Sequence, residues 1–287
     1  MNQENTDWVT GMIDIAVKAS LEAGEMIMEV YGERSLVVES KADNSPVTEA
    51  DLRADAVIAR CLGETGLPLL SEEGRDVPYR ERRNWKRLWI VDPLDGTKEF
   101  INRSGEFTVN IALVEGGEAL AGVVYAPVSD VLYTGIAGRG AWRIDGASEA
   151  CVSDPFLRDK GVALPCVTRE NYGIVASRSF RDKRTGNFIR QFCDRFEGTR
   201  TVTTGSSLKL CLVAEGEADI YPRFGYISEW DTAAGHAIVA ASGGRVVQAL
   251  DPSVPLVYNK PSHLNPWFMA FRDHELFEAV KDLVPSG

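Results

Sequence analysis

Residues 89–100 read WIVDPLDGTKEF, an apolar run of Trp, Ile and Val that stops at Asp92, with a second aspartate, Asp95, across Pro93 and Leu94. The run has the composition of a buried strand. Pro93 fixes its own φ and restricts Asp92 before it. Gly96 permits close backbone approach, and Thr97 opens a short helix, TKEFINR, whose free N–H groups favour an anion. Two carboxylates therefore stand at the C-terminal end of a strand, where ligands of α/β sheets gather. Carboxylates beside an anion-seeking helix end repel one another unless a cation sits between them. Carboxylate oxygen is a hard ligand suited to Mg²⁺, which joins a few carboxylates to a substrate phosphate. An Asx-capped turn is the plainer reading of the same residues, since Asp-Gly-Thr is good turn chemistry.

Other acids tip the balance. LPLLSEEG (67–74) ends a second apolar strand in Glu72 and Glu73, and SEWDTAAGHAIV (228–239) places Asp231 at a helix start. Asp is a favoured N-cap residue and a solvated strand end is ordinary, so each segment alone has a structural explanation. Three acid-terminated segments in one chain are harder to dismiss. TEAD (48–51) resembles a capping box with Asp51 where Glu or Gln is usual, and spacing alone favours the cap over a catalytic role.

Around these segments the chain is ordinary. Its 287 residues are 44% hydrophobic and 25% charged, enough for one large domain or two smaller ones. A net charge of -11 argues against a surface that tracks a nucleic acid polymer or anionic lipid, though not against a small phosphorylated substrate held through a metal ion. No apolar run reaches the ~18 residues of a transmembrane segment, and the N-terminus MNQENTDW is polar rather than a signal peptide. Five cysteines without a C-x-x-C pair read as reduced thiols, so a cytoplasmic monomer or homodimer is expected. Three histidines leave a phosphohistidine or Ser-His-Asp scheme little to work with, and neither G-x-S-x-G nor H-E-x-x-H occurs. His236, one turn into the helix after Asp231, reads as a packed or capping imidazole. The run RDVPYRERRNWKR (75–87) interleaves six cations with acids and aromatics, which predicts a solvated loop-helix surface, with a positive rim for a polyanionic nucleotide as the alternative.

A helical stripe spans 7–31 and stops at Gly32; a short strand LVVES, a loop KADNSP and a helix over 48–62 follow. From 107 to 144, FTVNIALV, LAGVVYA and VLYTGIA alternate with Gly-rich turns, as in an antiparallel meander. Residues 150–172 are irregular and form the expected boundary. Beyond them strands GIVAS, TRTVTT, ADIYPRF and RVVQA alternate with helices at 181–196, 206–215 and 232–242, an α/β pattern. The fold class is therefore mixed α/β (α+β) with two sheet-containing halves. Residues 1–150 form an α+β domain with an antiparallel sheet and most of the acids; residues 151–287 form an α/β domain that supplies Asp231.

SEEG, WIVDPLDGTKEF and EWDTAAGHAIV, in this order and separation, resemble the magnesium-dependent, lithium-sensitive phosphatases of the inositol monophosphatase superfamily. SKADNSPVTEAD, GEFTVNIALV, GVVYAPV and GSSLKLCLVAEGEADIYPRFG narrow the resemblance to its CysQ-type 3'(2'),5'-bisphosphate nucleotidases, over about residues 10 to 270. The resemblance implies a layered αβαβα sandwich. It also implies hydrolysis of adenosine 3',5'-bisphosphate to AMP and phosphate, an extension to 3'-phosphoadenosine 5'-phosphosulfate, and a place in sulfur assimilation. Inositol or sugar phosphates are the alternative substrates. Lys98-Glu99-Phe100 disfavours these, because inositol-type relatives usually place Asn before that Phe. Peripheral attachment to the inner membrane is left open.

The same resemblance assigns residues. Glu72, Asp92 and the Leu94 carbonyl match ligands of a first Mg²⁺; Asp92 bridges to a second that Asp95 and Asp231 complete, with two or three ions per site. Asp51 and Thr97 match the pair that helps activate the attacking water, with Glu72 nearby, which reverses the preference for a cap at Asp51. Gly96, Thr97 and Lys98 match the phosphate cradle, Gly205 and Lys209 match positions near the nucleotide, and Lys41 matches a lysine facing the acids. Two features depart from the pattern: Phe180 in ASRSF, where such relatives often carry histidine, and the length of the 150–172 stretch.

Overall fold

The computed structural model describes residues 3–33, 38–40, 46–153, 161–177, 182–273 and 275–285. The first helix, α1 (Gln3–Tyr31), buries Ile13, Ala16, Ala19, Ala23, Ile27 and Val30, the stripe expected from its period, and ends where the Gly32 N–H bonds back to Met28 O. A small hairpin, β1 (Val38–Ser40) with β2 (Pro46–Thr48), leads into α2 (Glu49–Gly63). Next come β3 (Leu69–Ser71), α3 (Tyr79–Arg82), β4 (Arg87–Asp95), α4 (Thr97–Ile101) and β5 (Thr108–Glu115). They are followed by β6 (Glu118–Ala126), β7 (Val131–Ile136), β8 (Gly140–Asp145), α5 (Ala147–Ser153) and β9 (Val162–Leu164). Strands β3 to β9 form one seven-stranded sheet in chain order, antiparallel except for the parallel β3–β4 edge.

The second half contains β10 (Gly173–Ser177), α6 (Lys183–Arg195), β11 (Arg200–Thr204), α7 (Leu208–Glu215) and β12 (Ile220–Arg223). It continues with α8 (Ala233–Ala241), β13 (Arg245–Gln248), β14 (Phe268–Phe271), α9 (Glu275–Val280) and a 3₁₀ turn at Lys281–Leu283. Its five strands run in the order β11-β10-β12-β14-β13, with β14 antiparallel to both neighbours.

Period-2 alternation sorts these elements into layers. On β4, Trp89 and Val91 pack with Ile13, Ala23 and Ile58 of α1 and α2, whereas Leu88 and Ile90 point the other way, to Leu210, Ala233 and Ile238 of α7 and α8. Tyr221, Phe268 and Ala270 of the second sheet close that middle layer from its far side. Ile220, Met269 and Phe271 face outward onto Phe188 and Phe192 of α6 and Phe277 of α9. The result is the αβαβα sandwich that the sequence predicts. Within it, α8 lies against bare backbone: a Cβ on Gly122 would stand 2.4 Å from Ala234 O, and one on Gly135 would stand 2.7 Å from Ile238 Cα. Gly122 and Gly135 are direct partners across β6 and β7.

Two expectations are corrected. The 150–172 stretch is not irregular throughout, because it contains the end of α5 and β9, which extends the first sheet beyond β8. The 75–87 run is not a uniformly solvated face either. Arg82 is 1% exposed, with Nε donating to Val77 O (3.2 Å) and Nη1 to Asn259 Oδ1 (2.8 Å), so it does not belong to a positive rim. Arg87 lies over the Trp8 ring and pairs with Glu115 at 2.7 Å. Among the described residues, no helix is long and apolar enough to cross a membrane.

Candidate functional site

The end of β4 and its turn into α4 form the floor of the site. Pairing with β5 shifts register between Asp92, opposite Asn110, and Asp95, opposite Thr108, so the strand is irregular between the two acids. The Leu94 N–H donates back to Asp92 Oδ1 at 3.1 Å. Gly96 caps α4 at φ 93°, a conformation that costs glycine little. The first bond inside α4 runs from Phe100 N to Gly96 O, leaving the N–H groups of its first turn without helical partners.

Three acids from three segments converge. Glu72 follows β3, Asp92 ends β4 and Asp231 precedes α8, and their nearest carboxylate oxygens all lie within 4.8 Å of one another. Asp231 is aimed by the Ser228 N–H, which donates to its Oδ2 at 2.8 Å. Burial pushes the Asp92 carboxyl well above the ordinary carboxylate range, and the like charges of Glu72, Asp95, Asp231 and Asp51 push it further. Asp231 is pushed up to about 7 by burial and then by Asp95 and Glu72. Asp95 is raised by burial, against the opposing pull of Lys209 and of bonds from Ser207 and Asn110. Burial in turn lowers Lys209, while Asp95 opposes that shift. Among the described residues, no ion pair within 4.0 Å reaches Asp92 or Asp231. A cluster of hard oxygen donors that resists full ionisation fits a divalent cation, and Mg²⁺ in particular.

Asp51 caps α2 and also stands beside Thr97. Its Oδ2 accepts from Thr48 N (2.7 Å) and Thr48 Oγ1 (2.6 Å), completing the capping box, while Oδ1 lies 3.3 Å from Thr97 Oγ1. Thr97 Oγ1 also stands 3.5 Å from Leu94 O. Beside the acids, a cleft of about 230 Å³ is lined by Asp95, Gly96, Lys98, Gly205, Lys209 and Asp231, so these expected residues share one wall. Ser177, Tyr221 and Arg223 line this cleft together with an adjoining cavity of about 530 Å³ that also holds Lys183 and Arg190. Gly205 is tied down by its N–H, which donates to Glu106 Oε2 at 3.0 Å. Lys41 and Phe180 lie outside the described residues. His236 is a packed imidazole, as expected, with Nδ1 2.9 Å from Tyr258 Oη and burial lowering its pKa to about 4.

The sequence reading missed a polar relay beneath Asp95. Ser207 Oγ lies 2.7 Å from Asp95 Oδ2 and 2.8 Å from Asp231 O; Asn110 Nδ2 donates to Ser207 Oγ at 2.9 Å and is itself held by Thr108. This relay joins β5 of the first half to the Asp231 turn of the second. Asn110 was visible as the one amide inside the apolar run FTVNIALV, whereas Ser207 carried no signal of its own. Ser206 was missed as well. It sits at φ 44°, lines the cleft and buries a hydroxyl with no hydrogen-bond partner among the described residues.

Residues 8–267 match the inositol monophosphatase family. The 3'(2'),5'-bisphosphate nucleotidase CysQ of Shigella flexneri is 45% identical over 262 residues, which cover 90% of this chain and 98% of that protein. That of Aggregatibacter actinomycetemcomitans is 34% identical, covering 91% and 92%. The crystal structure of CysQ from Bacteroides thetaiotaomicron superposes with a TM-score of 0.81 at 43% identity, over 91% of this chain and 97% of that one. A Thermotoga maritima IMPase gives 0.73 at 25% identity, over 95% and 96%. By its acid-bearing strand ends, its layering and its match over most of its length, the chain belongs to the inositol monophosphatase family.

Proposed function

We propose that this chain is a Mg²⁺-dependent phosphomonoester hydrolase that removes the 3'-phosphate of adenosine 3',5'-bisphosphate, yielding AMP and phosphate. The observation that carries the reading is the convergence of Glu72, Asp92 and Asp231 from three separate segments, beside a cleft that presents Lys98 and Lys209. The substrate assignment draws on the relatives named CysQ. Glu72, Asp92 and the Leu94 carbonyl would hold one Mg²⁺, and Asp92, Asp95 and Asp231 a second. Bound there, the metal lowers the pKa of water and offsets the charge of a doubly phosphorylated substrate.

The protein's own groups supply the rest. With its proton directed at Asp51 Oδ1, the Thr97 hydroxyl presents a lone pair to the attacking water and passes the proton on to Asp51. The N–H groups of Gly96 and Thr97, with Lys98 beside them, receive the phosphate. Lys209 and Arg223 give the cleft the positive charge that a second phosphate needs, next to the cavity that would take the nucleoside. The Ser206 hydroxyl is a free polar contact in the same wall. We extend the proposal to the phosphosulfate analogue, and with it to a role in sulfur assimilation.

The test is phosphate release from adenosine 3',5'-bisphosphate, its phosphosulfate analogue and inositol 1-phosphate, each with Mg²⁺ and with EDTA. Nucleotide hydrolysis that EDTA abolishes supports the reading. Preference for inositol phosphate overturns the substrate, and release unaffected by EDTA overturns the metal.

A further inference from the structure

Arg82, expected on the surface, lies buried between the loop that leaves Glu72 and the loop that precedes β14. From the first loop it takes Val77 O; toward the second it donates to Asn259 Oδ1 (2.8 Å) and Pro261 O (3.3 Å), and Asn259 Nδ2 returns a bond to Arg82 O at 2.9 Å. Asn259 sits at φ 60°, a left-handed conformation that Asn tolerates better than most residues. Its backbone N–H donates to Glu229 Oε2 at 2.6 Å, and the Glu229 carboxylate, 0% exposed, also receives Lys260 N (3.0 Å) and Lys260 Nζ (2.5 Å). Glu229 lies in the turn that carries Asp231, and its own N–H donates to His263 O at 2.8 Å. Asn265 completes the seam, its amide reaching Ser228 O at 3.0 Å. Ser228 is the residue whose N–H aims Asp231.

A continuous run of buried and part-buried bonds thus joins the Glu72 loop to the Asp231 turn. We infer that Arg82, Asn259 and Glu229 form a clamp that holds Glu72 and Asp231 at the spacing around Asp92 that the two cation positions require, which makes them positioning residues for the metal site. The inference rests on reading Glu72, Asp92 and Asp231 as ligands. None of the three clamp residues touches the acids' oxygens; each acts through backbone that carries a ligand. Outer partners of this kind typically change metal affinity by about 10–100-fold when lost.

The experiment is calorimetric titration of the purified chain with Mg²⁺, comparing wild type with Asn259→Gly. That variant keeps the left-handed backbone and the N–H to Glu229 while cutting both side-chain links to Arg82. The expected result is an Mg²⁺ dissociation constant raised about tenfold. In parallel, the Mg²⁺ concentration for half-maximal turnover should rise, with kcat at saturating Mg²⁺ returning to near wild type. Arg82→Lys, which retains a cation but not the fork, should show the same affinity loss in weaker form. A lower Tm with unchanged Mg²⁺ affinity overturns the clamp and leaves these residues structural. A wild-type chain that binds no Mg²⁺ overturns the metal reading and the clamp with it, so the two failures are distinct.

Discussion

Glu229 and Asp231 belong to one turn, Glu229 buried and Asp231 half-buried at the cleft, yet their surroundings are opposite. Glu229 receives an ammonium and two backbone N–H groups, all from the 259–260 segment. Asp231 receives a single N–H and faces other acids. The same contrast recurs elsewhere: Asp219, nearly buried, pairs with Arg272 and takes the Gly173 N–H at 2.7 Å. Buried charge in this protein normally comes with its counter-charge, as desolvation demands. Among the described residues, Asp92 and Asp231 have no such partner within 4.0 Å.

The comparison can be broken by exchanging the logic of the two places. Asp92→Asn should abolish phosphate release while leaving the fold intact, and its metal-free melting temperature should equal or exceed wild type, since the amide has no charge to desolvate. Lys260→Met, by contrast, strands Glu229 and should cost about 3–5 kcal/mol, read by denaturant unfolding. If Asp92→Asn unfolds the chain, the distinction between the two kinds of buried acid is wrong.

Next in size is the proton relay. Thr97→Ala should lower kcat by about 10²–10⁴-fold with little change in Mg²⁺ affinity, as expected of a group that handles a proton. A fall in Mg²⁺ affinity alone would move Thr97 to the ligands.

A pH series sharpens the contrast further. Asp92 and Asp231 have folded-state pKa values raised above the ordinary carboxylate value. In metal-free protein the folded state therefore holds protons that the unfolded state has released, and stability falls as pH rises from about 4 through about 7. Mg²⁺ should reverse this above pH 7, contributing about 2.7 kcal/mol at a hundredfold excess over its dissociation constant. Stability that stays flat with pH in EDTA would contradict the shifted acids. The smallest expected effect is lithium: Li⁺ should slow turnover by occupying one cation position. Unchanged rates at high Li⁺ would count against that second position.

Periodicity and punctuation made much of the architecture legible. The stripe of α1, the meander of β5 to β8 and the acid-ended strands all follow from local pattern. What escaped notice depends on distant partners. Phe268–Phe271 is four apolar residues without alternation, yet it is the strand that joins β12 to β13. Arg82 looked like its charged neighbours because burial came from Asn259 and Pro261, far along the chain. Among the site residues, the acids announced themselves by being out of place at strand ends. Ser207 and Ser206 did not, since a serine after glycine is ordinary turn material.

The paired glycines beneath α8 have a consequence for how this protein tolerates genetic drift. Gly122 and Gly135 lie on strands that carry none of the acids, but the helix resting on them begins directly after the Asp231 turn. A single added methyl group at either would lift that helix and carry Asp231 away from Glu72 and Asp92. Two unremarkable small residues in the middle of a sheet are thus as exposed to mutational damage as the acids themselves, and a survey of spontaneous inactive variants should recover them together.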